Sequence, residues 1–297
     1  MMTGYGNLVR RNTKLFFKDK GTFFTALITP LILLVLYATF LAKVYRDSFT
    51  SALPEGFQIE DALLNGTVTA QLISSLLAVS CVTVAFCANL MMIGDRASGA
   101  IRDLTVTPLR RSTLALGYFS STALVTIIVN FCALAACLGY QAIQGWYFSA
   151  ADIAMLVLDV LLLTLFGTAL SSCINQPLRT NGQASAVGTV VSAGYGFLCG
   201  AYMPIASFSE GLQKVLGFLP GTYGTALIRN HAMAGVYREM LRVGFPAQVV
   251  EGIRDGIDCN LYFFGTQVSL GAMYAIVGGG TVLCVGLYIL QNALKKQ

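Results

Sequence analysis

Few residues in this chain could carry chemistry of their own. The single histidine, His231, leaves no H-E-x-x-H zinc site and no histidine-based triad to assemble. With no acid–base partner visible, it reads as a hydrogen-bonding residue at an interface. The eight cysteines form no C-x-x-C pair, and no metal-ligand cluster or pair of intramembrane carboxylates appears, so no metal site is expected. A G-x-x-x-x-G-K-[ST] sequence is absent, which excludes ATP binding through a P-loop. No catalytic residue and no bound cofactor are therefore assigned to this chain. Two features remain, a lone acid within an apolar run, Asp159, and a charged loop from Asp95 to Arg111. A charge at Asp159 costs roughly 2.5 to 3.5 kcal/mol on insertion scales, so it must be paired, hydrated or protonated. A structural role, bonded to neighbouring hydroxyls, is favoured over a proton relay, since one carboxylate without a second site argues against an ion-driven carrier.

The elements that position these residues are helices in a membrane. Of 297 residues, 56% are hydrophobic and 11% charged, with a mean hydropathy of +0.69. A soluble domain carries about 25% charged residues, so most of this surface must face lipid. Charge-free or nearly charge-free runs predict six spans, at 21–42, 66–93, 113–140, 153–174, 182–206 and 261–291. Each is long enough, at 1.5 Å per residue, to cross about 30 Å of hydrocarbon. The first carries Pro30 as a candidate kink, and residues Lys43 to Asp61 read as a loop. Gly139, Gln141, Gln144, Trp146 and Tyr147 mark a turn at the end of the third.

Basic residues orient the bundle. With both termini cytoplasmic, the inner segments hold twelve Lys and Arg against three acids, and the outer loops seven against ten. The positive-inside rule selects this orientation. The pI of 8.8 thus reflects topology and contact with membrane lipid, with no nucleic-acid footprint. No cleavable signal peptide is evident before the first span. Seven cysteines fall in or at the ends of spans, and Cys259 lies outside, where it is expected to be accessible.

Ahead of the first span, residues 3–20 form an amphipathic helix. Tyr5, Leu8, Val9, Leu15 and Phe16 share one arc, with Arg10, Arg11, Lys14 and Lys18 opposite, which predicts a helix lying along the cytoplasmic leaflet. In the fifth span small residues recur at every fourth position, Ala184, Gly188, Ser192, Gly196 and Gly200, a face suited to close helix packing within the monomer or across a dimer. Gly271, Ala275 and Gly279 repeat this in the sixth. Residues 207–259 form the longest outer segment. Its approach, Met203 to Ile228, is semi-apolar and punctuated by Pro204, Pro220 and Gly221, which predicts a hairpin dipping part-way into the membrane. Tyr237 to Asp258 predicts a short amphipathic helix over the outer face.

The loop 94–111 carries the sharpest signal. Asp95, Gly99, Leu104, Thr107, Pro108 and Arg111, in that order, resemble the coupling segment of type-2 ATP-binding cassette (ABC) transporter permeases, although that family usually has glutamate at the place of Asp95. Pro204, Leu219-Pro220, Tyr223 and Arg229 are similar to the family's segment after the fifth span. The resemblance implies an all-α, six-span permease of the bacterial plasma membrane that works as an exporter, paired with a second protomer and driven by a separate cytoplasmic ATPase that holds the ATP and Mg. It implies that Asp95, Arg96, Gly99, Arg102, Leu104, Thr107, Pro108, Arg110 and Arg111, with Arg10, Arg11 and Lys14, couple to that ATPase. Pro204, Leu219, Pro220, Tyr223 and Arg229 would form an outer gate, and Gly188, Ser192, Gly196 and Gly200 a packing face. Apart from the resemblance, Thr107-Pro108 is expected to end a short helix, because proline disfavours helical geometry in the residue before it. Thr67, Thr69, Gln71, Ser74, Ser75, Ser80, Thr83 and Asn89 on the second span, with no rows of aromatics, favour a small amphipathic or lipophilic cargo. Lipid-linked polysaccharide or teichoic acid is the alternative within the family, and an ion-driven carrier or a peptide-sensing receptor the alternative outside it.

Overall fold

The computed structural model describes residues 2–52, 59–106 and 111–294. The described chain is helical almost throughout. In order, it has α1 (Met2–Lys18), α2 (Lys20–Leu36), a π-helical turn (Tyr37–Leu41), α3 (Ala42–Ala52), α4 (Asp61–Ala88), α5 (Leu90–Ala97), α6 (Ala100–Val106), α7 (Arg111–Gln144), α8 (Ala150–Asn175) and α9 (Asn181–Leu198). A 3₁₀ turn (Ile205–Ser207) follows, then α10 (Glu210–Leu216), α11 (Pro220–Arg242), α12 (Ala247–Gly256), a two-stranded antiparallel hairpin of β1 (Tyr262–Phe263) and β2 (Thr266–Gln267), and α13 (Leu270–Leu294).

Four helical stretches are long and apolar enough to cross a membrane, Asp61–Ala97, Ser112–Gln144, Ala150–Asn175 and Leu270–Leu294, and a fifth is reached if α1 and α2 are taken together across their 77° bend. Asp19 sits at that bend, its carboxylate accepting from the Thr22 N–H at 3.2 Å and so capping α2. An elbow of this kind matches an amphipathic helix turning into a span. The predicted fifth span is shorter than its charge-free run. α9 has 18 residues and stops because Gly200 adopts φ +73, with Ala201 N–H donating to the Gly196 carbonyl at 2.8 Å, a left-handed helix end. The sixth starts at Leu270 rather than 261, since residues 262–267 pair as strands. The expected loop from Lys43 is instead helix as far as Ala52, joined to α2 through the π-helical turn. Pro30 is accommodated inside α2.

α4 is the post around which the bundle is built. It packs on α2, α7, α8, α9 and α11, and nearly all of its residues from Leu63 to Ala88 are buried. Its polar side chains therefore do not line a conduit within the protomer. Thr67 and Thr83 hydroxyls donate to carbonyls one turn back, Leu63 at 2.7 Å and Val79 at 3.0 Å, and Ser74 donates to Gln71 at 2.7 Å. These bonds satisfy the hydroxyls on their own helix and leave the helix free to pack on every side. On the small-residue face of α9, Ala184, Gly196 and Gly200 are buried and Gly188 and Ser192 half-buried, and a side chain at Gly188 would meet nothing within 4 Å. Gly200 belongs to this pattern for a second reason, its backbone conformation.

Candidate functional site

At the end of the bundle that carries α1, groups from α1, α7 and the end of α8 converge on the sequence Asp95-Arg96. Asn89 marks the boundary between α4 and α5, and its amide donates to Ser171 and Ser172 of α8 at 3.2 Å each. α5 then continues the line of α4 and presents two adjacent charges in different directions. The Asp95 carboxylate accepts both Arg11 Nη groups, at 2.8 and 3.1 Å, and the Tyr118 hydroxyl at 2.6 Å. This fork-on-carboxylate geometry is among the stronger polar pairings a partly buried site can make. Arg96 turns the other way and donates to the Gln176 carbonyl at 2.7 Å and the Leu178 carbonyl at 3.3 Å, and also bonds the Gln176 side chain. It thereby caps the carbonyl end of α8, where the helix dipole favours a cation.

The helix α1 is locked onto this cluster. Leu8, Asn12 and Phe16 are buried on one stripe, and a side chain at Gly117 of α7 would collide with Leu8, an added Cβ lying 2.3 Å from its Cδ2. Asn12 donates to Ser121 at 3.3 Å and accepts from Arg11 at 2.9 Å. Arg10 and Lys14 are exposed, as the wheel requires, while Leu15 and Phe17 are each 40% exposed and can meet lipid. A cavity of about 380 Å³ lies under the elbow between α1 and α2, lined by Phe16, Asp19, Met91 and Asp95 among others.

Asp95 and Arg11, read from sequence as coupling residues, bond one another within this chain. The following segment packs beside them. Gly99 takes φ +80, which turns the chain into the short helix α6, where Arg102 is exposed and Ile101 and Leu104 are half-buried. Thr107, Pro108 and Arg110 lie outside the described residues, and Arg111 opens α7.

At the opposite end the predicted hairpin is α10 and α11, and α11 is the second organising helix. Most of its residues from Gly221 to Met240 are buried, and it packs on α4, α8 and α13. Its fit is close, for a Cβ at Gly235 would come within 2.0 Å of the Tyr147 carbonyl oxygen and one at Gly224 within 2.4 Å of Leu163. The Tyr223 hydroxyl donates to the Gly217 carbonyl at 2.6 Å and closes the turn from α10. Arg229, 1% exposed, donates to the carbonyls of Ile257 at 2.6 Å and Gly200 at 2.8 Å and lies 3.6 Å from Asp258. It ties the end of α9 and the segment after α12 to the core. Burial pushes the Asp258 carboxyl above its ordinary range, against the pull of Arg229.

The residues grouped as an outer gate are spread from the 3₁₀ turn to the first half of α11. Pro204 precedes the 3₁₀ turn, and Leu219 and Pro220 start α11 beside Phe166 and Gly280, whereas Arg229 lies nine residues, or about 14 Å, further along the same helix. Asp159 is buried and bonded on two sides, by the Tyr274 hydroxyl and by His231 Nδ1, each at 2.5 Å. The hydroxyl was foreseeable in kind. The partner of His231 was not, because the pairing joins α8 to α11 across 72 positions. One step of seven residues away on both helices, Arg238 bonds Asp152 in the same manner, at 3.0 Å for its Nη1. Cys259, expected to be accessible, is 1% exposed under α12, and burial pushes its thiol up to about 11.

A search against curated proteins gave no match. A model of the family described as ABC-2 type transporter matches residues 3–231, a stretch that contains α1 through the first half of α11 and so includes the Asp95 cluster, the α9 terminus and His231. With that match extending over well over half of a chain whose long helices are apolar enough to cross a membrane, the protein belongs to the ABC-2 type transporter family, as a multi-pass membrane permease subunit of an ABC transporter.

Proposed function

We propose that this chain is the membrane subunit of an exporter driven by a separate cytoplasmic ATPase. The observation that carries this reading is the bracing around α5. A force applied to α6 passes through Gly99 to α5 and from there, through Asp95 and Arg96, to α1, α7 and α8 at once. Such a node suits mechanical coupling, because rigid elements joined by charge-assisted bonds move together. On this reading α6 and the loop to Arg111, with Arg10 and Lys14 on α1, meet the ATPase, which holds ATP and Mg. Asp95 and Arg11 act one step behind, as the brace. The termini face the bacterial cytoplasm, in keeping with the basic residues there. α2, α4–α5, α7, α8, α9 and α13 make up six spans, and α9 and the exposed apolar face of α2 meet a second protomer. The cargo is a small amphipathic or lipophilic molecule rather than a lipid-linked glycan.

Co-purification with an ATPase encoded beside this chain, where there is one, followed by ATP hydrolysis in lipid nanodiscs across drugs, peptides and lipid-linked glycans, tests this. Hydrolysis altered by a lipophilic small molecule supports the reading, and absence of any associating ATPase removes it. The buried contact of Asp159 with His231 favours one rival, an ion-driven carrier. That rival requires transport to fail in Asp159→Asn and to persist with an ATPase-dead partner.

A further inference from the structure

The helices α8 and α13 meet along a seam that steps down α8 through Asp159, Phe166 and Cys173. Asp159 accepts the Tyr274 hydroxyl, Phe166 lies beside Gly280, and the Cys173 thiol donates to the Cys284 carbonyl at 2.8 Å. The two thiols are also within hydrogen-bonding reach of one another. Gly280, one turn before Cys284, makes this approach possible. A Cβ there would come within 2.8 Å of Pro220 and 3.5 Å of Phe166, and residues without side chains let helices pack closely. A disulfide needs such closeness, with Cα atoms about 4.4 to 6.8 Å apart. Cys81, Cys137, Cys199 and Cys259 are buried, whereas Cys173 and Cys284 are both half-buried. Cys284 also lines an open cavity of about 420 Å³ on the flank of the bundle, so a molecule as small as hydrogen peroxide can reach its sulfur.

The pair stands beside the Asp95-Arg96 cluster. Cys173 lies two residues before the end of α8, whose last carbonyls are held by Arg96. It packs against the apolar group of Leu8, Met92, Tyr118 and Tyr288, which joins α1, α5, α7 and α13. Tyr288, one turn beyond Cys284, donates to the Ala115 carbonyl of α7 at 3.2 Å. A covalent tie between Cys173 and Cys284 would therefore fix α13 to α8 at the point where both meet the helices that carry the brace.

We propose that Cys173 and Cys284 form a modification site, a dithiol that a hydroperoxide closes to a disulfide, and that the closed form locks α13 to α8 and slows coupling. The Cys284 sulfur attacks one peroxide oxygen, the O–O bond breaks, and the departing hydroxide takes the thiol proton and leaves as water. The Cys173 sulfur then attacks the resulting sulfenic acid at sulfur, the S–O bond breaks, and a second water leaves with the Cys173 proton. Two thiols and one hydrogen peroxide thus give one disulfide and two waters, the sulfurs being oxidised and the peroxide reduced. Thiol–disulfide exchange with a small dithiol reverses the step. Formation of the bond is independent of any ATPase, whereas its effect on hydrolysis rests on the exporter reading.

The test uses the full chain in nanodiscs, treated with hydrogen peroxide, then denatured, alkylated and digested for mass spectrometry. A linked peptide pair carrying Cys173 and Cys284 is expected, from protein that still migrates as one chain on a non-reducing gel. In Cys173→Ser no link forms and dimedone traps Cys284 as its sulfenic acid. With the ATPase present, peroxide should lower cargo-stimulated hydrolysis several-fold in the wild type, dithiothreitol should restore it, and Cys173→Ser should keep its rate under peroxide. Absence of the link, or a link that joins two copies of the chain, would overturn the proposal. A link that leaves hydrolysis unchanged would overturn the locking role. Where no ATPase associates, the exporter reading falls, and the linked peptide alone decides the modification site.

Discussion

Replacing Arg229 by methionine removes a guanidinium that is 1% exposed and serves two carbonyls and one carboxylate. Methionine keeps much of the stem's volume, so the loss is chiefly polar. Breaking a buried pair from one side costs about 3 to 5 kcal/mol, because the other charge is left unpaired. Asp258 has a way out, since its carboxyl already sits above the ordinary range through burial, and without Arg229 it rises further and takes up a proton. Its sign follows directly. A carboxyl raised in the folded state contributes stability that is complete below its unfolded pKa and lost as pH rises through the folded one. The deficit of the variant is therefore largest at neutral pH and shrinks on acidification, by up to about 1.4 kcal/mol per pH unit over the window in which the folded variant has protonated Asp258 and the folded wild type has not. Cys259, buried next to this pair with its thiol near 11, reports the opening of the cap. In the wild type roughly one thiol in a thousand is ionised at about pH 8, and it is shielded as well. A destabilisation of about 3 kcal/mol raises the open population on the order of a hundredfold. The assay is the rate of Cys259 alkylation in membranes by an impermeant maleimide, normalised to an exposed thiol at each pH. An unchanged rate in Arg229→Met, or an acceleration that grows on acidification, would refute the argument.

Further outcomes can be stated more briefly. Asp95→Asn keeps the size of the side chain but weakens the bonds from Arg11, so it should lower cargo-stimulated ATP hydrolysis several-fold while the ATPase still co-purifies; loss of binding would place Asp95 at the contact itself. Gly235→Ala should destabilise the chain by about 1 to 3 kcal/mol despite alanine's helix propensity, because its methyl meets the Tyr147 carbonyl, and a thermal shift in detergent measures this. Gly200→Ala should cost about 1 kcal/mol through its left-handed backbone, again read as a lower melting temperature. His231→Leu leaves Asp159 with the Tyr274 bond alone and should destabilise by about 1 to 3 kcal/mol; an unchanged melting temperature would count against that pairing.

The sequence announced a helical membrane protein because lipid forbids charge, and uncharged runs of sufficient length are visible without any fold. The helices α7 and α8 begin and end within four residues of the apolar runs at 113–140 and 153–174. The sequence misjudged α9, where a glycine conformation rather than a charge ends the helix, and the start of α13, where Tyr262 to Gln267 are uncharged yet pair as strands. The helix beyond the first span was missed because the segment from Ala42 to Ala52 carries Lys43, Arg46 and Asp47 without breaking. Asp159 stood out by its type within an apolar run, and Asp95, Arg96 and Arg229 through the resemblance of the segments that carry them. Their partners did not, since Arg11 and Asp95 are 84 positions apart and Arg229 and Gly200 29.

The two ion pairs that join α8 and α11 repeat at the same interval, Asp152 with Arg238 and Asp159 with His231. Because the helices run in opposite directions, the pairs come into register together and leave it together, about 10.5 Å apart along the axis. Sliding α11 by a fraction of a turn would take the basic partner from both acids at once, leaving Asp152 only its bonds from Ser149 and Asp159 only that from Tyr274. The contact therefore works as a detent. Any movement of α11 against α8 during a transport cycle would be a step between discrete seats rather than a glide, and a variant lacking one of the two pairs would blur the seat before it weakened the fold.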